Sequence, residues 1–139
     1  MSDLGLTHIA LPVCDLEASL QFYSKYAHMQ VVHHRESVDG AVAWISDCTR
    51  PFVIVLVKTH AVQHPLLPWA HLGVACASRT EVDRLCELAR AENCLISGPK
   101  DSGLPVGYWA FLRDPDGHTL EVAYGQDIAF AIAKECLVP

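Results

Sequence analysis

Three side chains able to hold a cation stand at related places in this chain. Asp114-Pro115-Asp116-Gly117 spells a tight turn, and the residues from His118 to Tyr124 alternate as a strand. With a period of two, Glu121 faces away from Leu120 and Val122 and shares a face with Thr119 and Ala123. A carboxylate held among small side chains on an inner strand face is costly unless it is neutralised, hydrogen-bonded or bound to a cation. Two histidines supply matching nitrogen donors. His8 shares a strand face with Ala10 and Pro12, and His71 shares one with Gly73 and Ala75. Taken singly, either histidine reads as an ordinary structural residue; equivalent placement in two copies of one pattern favours ligation.

That pattern is an element order written twice. The first copy runs from a strand over Leu6–Val13 into a helix capped by Asp15, with Leu16, Leu20 and Tyr23 as its apolar stripe. Strands follow over Val31–Arg35, Ala41–Ser46 and Phe52–Lys58. The second copy has a strand over Ala70–Cys76, then a helix opened by the capping box Ser78-Arg79-Thr80-Glu81, with Val82, Leu85, Cys86 and Ala89 on its apolar stripe. Asn93–Ser97, Gly107–Arg113 and the Glu121 strand complete it. Superposing the copies sets His8 on His71 and Val55 on Glu121.

The expected fold class is therefore α+β, two tandem βαβββ modules forming a curled mixed sheet around a central cavity. One domain spans residues 1–139: module one over about 4–58, a linker over about 59–69, module two over about 70–125, and a C-terminal helix over about 126–136. Small residues around ionisable ones on the inner faces suggest a pocket. Candidate substrate contacts are Tyr108, Phe111 and His34, the last as the inward member of His33-His34. Trp109 offers an aromatic of the other parity. His118 is expected to face solvent, and Lys100-Asp101-Ser102 to form a polar loop beside the last hairpin.

Composition narrows the partners. Sixteen acidic against ten basic residues give a net charge of -6, with no Lys/Arg cluster, which argues against nucleic acid. The longest apolar run, Phe52 to Val57, is too short to span a bilayer, and the start lacks a signal pattern, so a cytoplasmic protein with no membrane partner is expected. The six cysteines contain no Cys-x-x-Cys and read as reduced, mostly buried thiols.

Thr7-His8-Ile9-Ala10-Leu11-Pro12-Val13, Asp15 to Tyr23, Ala70-His71-Leu72-Gly73-Val74 and Asp114 to Val122 resemble the vicinal oxygen chelate superfamily of glyoxalases, bleomycin-resistance proteins and extradiol dioxygenases. The resemblance implies that His8, His71 and Glu121 occupy three metal-ligand positions, with Val55 at the fourth, where glyoxalase I has a Glu. It implies a divalent ion, Fe(II), Mn(II), Zn(II) or Ni(II), and a small substrate chelating it through vicinal oxygens, in dioxygenase or lyase/isomerase chemistry. It also implies a homodimer. The alternative is a metal-free binding or sequestering protein of the bleomycin-resistance type, to which Val55 points. Phe111 stands where the dioxygenases usually place a Tyr, and Ala10 where fosfomycin-inactivating relatives place a Thr.

Overall fold

A computed structural model describes residues 5–136. The fold is α+β, with two tandem units, residues 1–65 and 66–139, each built on an open four-stranded mixed sheet. In the first unit β1 (His8–Val13), α1 (Leu16–Ala27), β2 (Gln30–Ser37), β3 (Gly40–Ser46) and β4 (Val53–Lys58) form a sheet ordered β1-β4-β3-β2. In the second, β5 (Leu72–Ala75), α2 (Arg79–Ala91), β6 (Leu95–Asp101), β7 (Tyr108–Arg113) and β8 (Thr119–Tyr124) repeat that order as β5-β8-β7-β6, and α3 (Ile128–Glu135) follows.

α1 and α2 each cover one face of their own sheet because the sequence gives each an apolar stripe, whereas α3 buries none of its residues. In α2 the buried residues are Val82, Leu85, Cys86 and Ala89, as the periodicity implies, and they meet the face that buries Ala110, Leu112, Leu120 and Val122. Ser78 caps α2, its hydroxyl accepting from the Glu81 N–H at 3.1 Å. Ser78→Ala is expected to lower stability by about 1 kcal/mol, read as a lower denaturation midpoint with unchanged slope. Asp15 caps α1 in the same way, accepting from the Ala18 N–H at 3.1 Å, and His28 ends that helix in the left-handed conformation. The α1 stripe is broader than the sequence suggests: Ser19, Phe22, Tyr26 and Ala27 are buried with Leu16 and Tyr23, whereas Leu20 is half-exposed. Phe22 packs edge-on against Tyr23 at 5.1 Å, so the aromatic cluster determines which side faces the sheet.

Most strand ends shift from expectation by one to four residues, and two of these shifts matter for the second unit. β5 begins at Leu72, just after His71, and β6 runs through Pro99 to Asp101, so Lys100 and Asp101 pair with Trp109 and Tyr108 instead of forming a loop. Proline is tolerated because β6 is an edge strand with register shifts on both sides of Ser97. Gly98, inside that irregular stretch, has φ +101°, and a Cβ there would come within 2.9 Å of the Ala110 Cα. Backbone proximity thus excludes every other residue.

Candidate metal centre

β8 is an interior strand, and its register sets the surroundings of Glu121. Gly73 stands beside it on β5 and Phe111 on β7. A Cβ on Gly73 would lie 3.4 Å from the Glu121 Oε2, so the missing side chain leaves room for the carboxylate. Glu121 is 9 % exposed, and among the described residues its hydrogen bond is from the Gln126 Nε2 at 3.1 Å. No Lys or Arg of the described residues neutralises it. The expected C-terminal helix takes in Gln126, but α3 starts only at Ile128, and Gly125, at φ +85°, turns the chain just before Gln126.

His71 lies two residues before Gly73 and so shares the Glu121 face. Its Nδ1 is 2.7 Å from the Pro68 carbonyl oxygen. A carbonyl only accepts, so Nδ1 carries the proton, and in the neutral ring Nε2 keeps its lone pair. Its ring also meets that of Phe111, centroids 5.0 Å apart. Because β8 runs between β5 and β7, this contact carries the imidazole across the strand that bears Glu121. Thr119, on the same face, is 1 % exposed and its Oγ1 has no hydrogen-bond partner among the described residues. Thr119→Val keeps the shape and removes the unsatisfied hydroxyl; it is expected to raise stability by about 1 kcal/mol, seen as a higher melting temperature.

The first unit repeats this register with other residues around an apolar centre. His8 lies two residues before Ala10, Ala10 pairs with Val55, and Val55 pairs with Trp44. Val55 therefore stands in its sheet as Glu121 does in the other, as the superposed patterns imply. The His8 Nδ1 is 2.8 Å from the Thr7 Oγ1. The structure brings His71 and Glu121 to one face of the second unit, and His8 is the equivalent residue of the first.

Among the candidate substrate contacts, Phe111 lies on the Glu121 face with Trp109, ring centroids 4.7 Å apart, and the Trp109 Nε1 donates to the Ser102 Oγ at 2.9 Å. Tyr108 belongs to the opposite face. Its hydroxyl donates to Asp83 on α2, and the Arg79 guanidinium lies 3.9 Å over its ring. The hydrogen bond to Asp83 holds the Tyr108 phenol above the usual range. Here it is the parity of β7 that assigns Tyr108 to the helix-covered side. His34 is likewise displaced: it pairs with the buried Ala43, while His33 pairs with Trp44 and packs against it at 4.7 Å. The register shift between Val31 and His33 reverses the alternation beyond it. His33 is two strands from Val55, about 10 Å away, and does not replace a ligand at that position.

His118 is buried, 1 % exposed, and not solvent-facing. Its Nδ1 accepts from the Leu66 N–H at 2.9 Å, and the Thr119 N–H donates to the Leu66 carbonyl at 2.7 Å, so the preceding segment covers it. The cysteines also depart from expectation. Cys86 is buried, Cys76 and Cys94 are half-buried, and Cys14, Cys48 and Cys136 are exposed. Burial pushes the Cys76 and Cys86 thiols up to about 11, which keeps both protonated and unreactive at neutral pH.

Among the described residues no three His, Cys, Asp or Glu side chains are grouped as a metal site, and the chemistry of the pair on this face is what bears on a cation. A buried carboxylate without a protein cation and an imidazole whose Nδ1 is committed to a carbonyl, leaving Nε2 available, are ordinary partners of such an ion. Glu121 and His71 do not neutralise one another, since their hydrogen bonds go to Gln126 and Pro68.

The family model described as Glyoxalase/Bleomycin resistance protein/Dioxygenase superfamily matches residues 5–122. The chain belongs to that superfamily. An uncharacterised protein of Pseudomonas aeruginosa is 36% identical over 126 residues, covering 88% of this chain and 90% of its own length. The lactoylglutathione lyase of Arabidopsis thaliana is 28% identical over 122 residues, 83% of this chain, but this chain spans 42% of that protein. Among solved structures, a possible glyoxalase from Bacillus cereus has a TM-score of 0.69 at 26% identity, covering 87% of this chain and 99% of that one. The fosfomycin resistance protein FosX of Listeria monocytogenes shares the fold, with a TM-score of 0.71 at 19% identity over 90% of this chain and 96% of that one.

Proposed function

We propose that this protein is a divalent-metal-dependent enzyme acting on a small substrate that chelates the metal through vicinal oxygens, with His8, His71 and Glu121 as the protein ligands. The observation carrying this reading is the His71 Nδ1 contact to the Pro68 carbonyl, which leaves Nε2 available on the face that buries Glu121. A bound divalent ion would supply Lewis acidity toward a substrate oxygen. The chain's own residues orient and exclude. Pro68 fixes the His71 ring, Gln126 holds one Glu121 oxygen, and Phe111 with Trp109 presents an apolar wall that limits water. A lyase or isomerase reaction is favoured over ring-cleaving oxygenation by the likeness to lactoylglutathione lyase and by Phe111, which offers no hydroxyl for proton transfer.

Val55, apolar where the other unit has Glu121, supports a second reading: a metal-free binding protein. The fold shared with the antibiotic-binding protein TnmS3 of Streptomyces, TM-score 0.65 at 20% identity, fits that reading. A homodimer belongs to the proposal as well, since α3 leaves Ile128, Phe130 and Ile132 exposed, as does a cytoplasmic setting. Among the described residues no helix is long and apolar enough to cross a membrane. Metal titration followed by calorimetry on the wild type and on His8→Ala separates the readings. One ion per chain, lost in the variant, supports the enzyme; full binding by His8→Ala removes His8 from the ligand set.

A further inference from the structure

The segment Leu66-Leu67-Pro68 belongs to no helix or strand, yet it ends at the carbonyl that orients His71. β5 begins only at Leu72, so the sheet ladder does not hold His71 itself. Its ring is aimed by the Pro68 carbonyl oxygen, 2.7 Å from Nδ1. That oxygen can aim a ring only if its own peptide is fixed. Without a ladder, the fixing comes from hydrogen bonds made at single residues.

Leu66 is held twice at the start of β8. Its carbonyl accepts from the Thr119 N–H at 2.7 Å, and its N–H donates to the His118 Nδ1 at 2.9 Å. A tight turn follows, in which the Ala70 N–H donates to the Leu67 carbonyl at 2.6 Å. The segment is thus a strap, clipped to the start of β8 at one end and to His71 at the other. Of its two bonds there, the one to His118 uses a side chain. His118 is buried, and the Asp114 turn fixes its backbone independently: its N–H donates to the Asp114 Oδ1 and its carbonyl accepts from the Asp114 N–H, both at 2.8 Å. The turn does not need the ring, whose Nδ1 is spent on the strap.

We propose that His118 is a positioning residue for the metal centre: by accepting from the Leu66 N–H it fixes the strap whose Pro68 carbonyl keeps the proton on the His71 Nδ1 and leaves Nε2 for the ion. The inference rests on the ligand role proposed for His71 and adds a residue outside the ligand set. All of its contacts lie within the second unit. An imidazole released from the carbonyl exchanges its proton between the two ring nitrogens and turns more freely, so loss of the strap weakens metal binding through tautomer and orientation alike.

The test compares the full wild-type chain with His118→Phe, which keeps a ring without an acceptor, and His118→Asn, whose Oδ1 stands as many bonds from the backbone as Nδ1 does. Long-range proton–nitrogen correlation spectra of the metal-free proteins read the His71 tautomer, and calorimetric titration with Zn(II) reads affinity. Wild type and His118→Asn are expected to keep the His71 proton on Nδ1. His118→Phe is expected to lose that preference and to bind Zn(II) about tenfold more weakly, with His118→Asn within about threefold of wild type. Hydrogen exchange adds a reading that needs no variant: the wild-type Leu66 amide is expected to exchange as slowly as the amides of β8. A freely exchanging Leu66 amide, an unchanged His71 tautomer in His118→Phe, or undiminished Zn(II) affinity in that variant would overturn the proposal. A wild type that takes up no Zn(II), with a tautomer that still responds to His118→Phe, would overturn the ligand role of His71 and support the strap.

Discussion

Glu121→Ala is expected to reduce divalent-metal affinity by at least about a hundredfold while leaving the fold intact. The carboxylate is the anionic donor of the proposed set, and it is buried at 9 % exposure without a Lys or Arg partner among the described residues. Removing it takes away the charge that offsets dehydration of the ion, and no second carboxylate stands on its face: the neighbours there are Gly73, Phe111, Ala123 and the uncharged Thr119. The same substitution relieves a buried charge, so the metal-free variant should melt at or above the wild-type temperature. Calorimetric titration with Mn(II) and Zn(II), paired with thermal melts, reads both effects. Wild-type affinity in the variant would remove Glu121 from the site. A collapse of the melting temperature without metal would assign the carboxylate a structural role instead.

Asp114→Ala is the second large effect, a loss of about 2–4 kcal/mol in stability. Asp114 is 3 % exposed, and its Oδ1 accepts from the Asp116 N–H at 2.9 Å and the His118 N–H at 2.8 Å. Its own N–H donates to the His118 carbonyl, and the Gly117 N–H donates to its carbonyl, which closes the turn. Alanine leaves the His118 N–H buried and unpaired, and this turn determines where β8 starts and therefore which face Glu121 takes. Asp114→Asn keeps an acceptor and should lose less than half as much, as chemical denaturation would show. Equal stability of Asp114→Ala and wild type would mean that backbone pairing alone holds the turn.

Much of this arrangement is legible in residue order because both modules obey simple periods. Val82, Leu85, Cys86 and Ala89 recur as one helical face requires, and His71, Gly73, Glu121 and Phe111 share a sheet face as strict alternation requires. The equivalence of Val55 and Glu121 follows from the same counting. Alternation misleads where a strand gains a residue. The irregularity after Val31 brings His33 to the Trp44 side and His34 to the Ala43 side, and no local residue marks the shift. Tyr108 goes astray for a different reason: an aromatic near a cavity has two faces to choose from, and Asp83 with Arg79 on α2 captures it on the far one. His118 is hidden by Leu66, a contact between positions distant in sequence. Pro68 lies in the linker, beyond a periodic reading, and Gln126 is read into a C-terminal helix that starts only at Ile128, yet these two contact His71 and Glu121.

The most direct test is metal analysis of the protein purified anaerobically without chelator, with His71→Ala prepared beside it. The proposal expects about one divalent ion per chain in the wild type and a loss of at least about tenfold in occupancy in the variant. Protein that holds no metal and takes none up on addition, or a variant that retains the wild-type content, would contradict it.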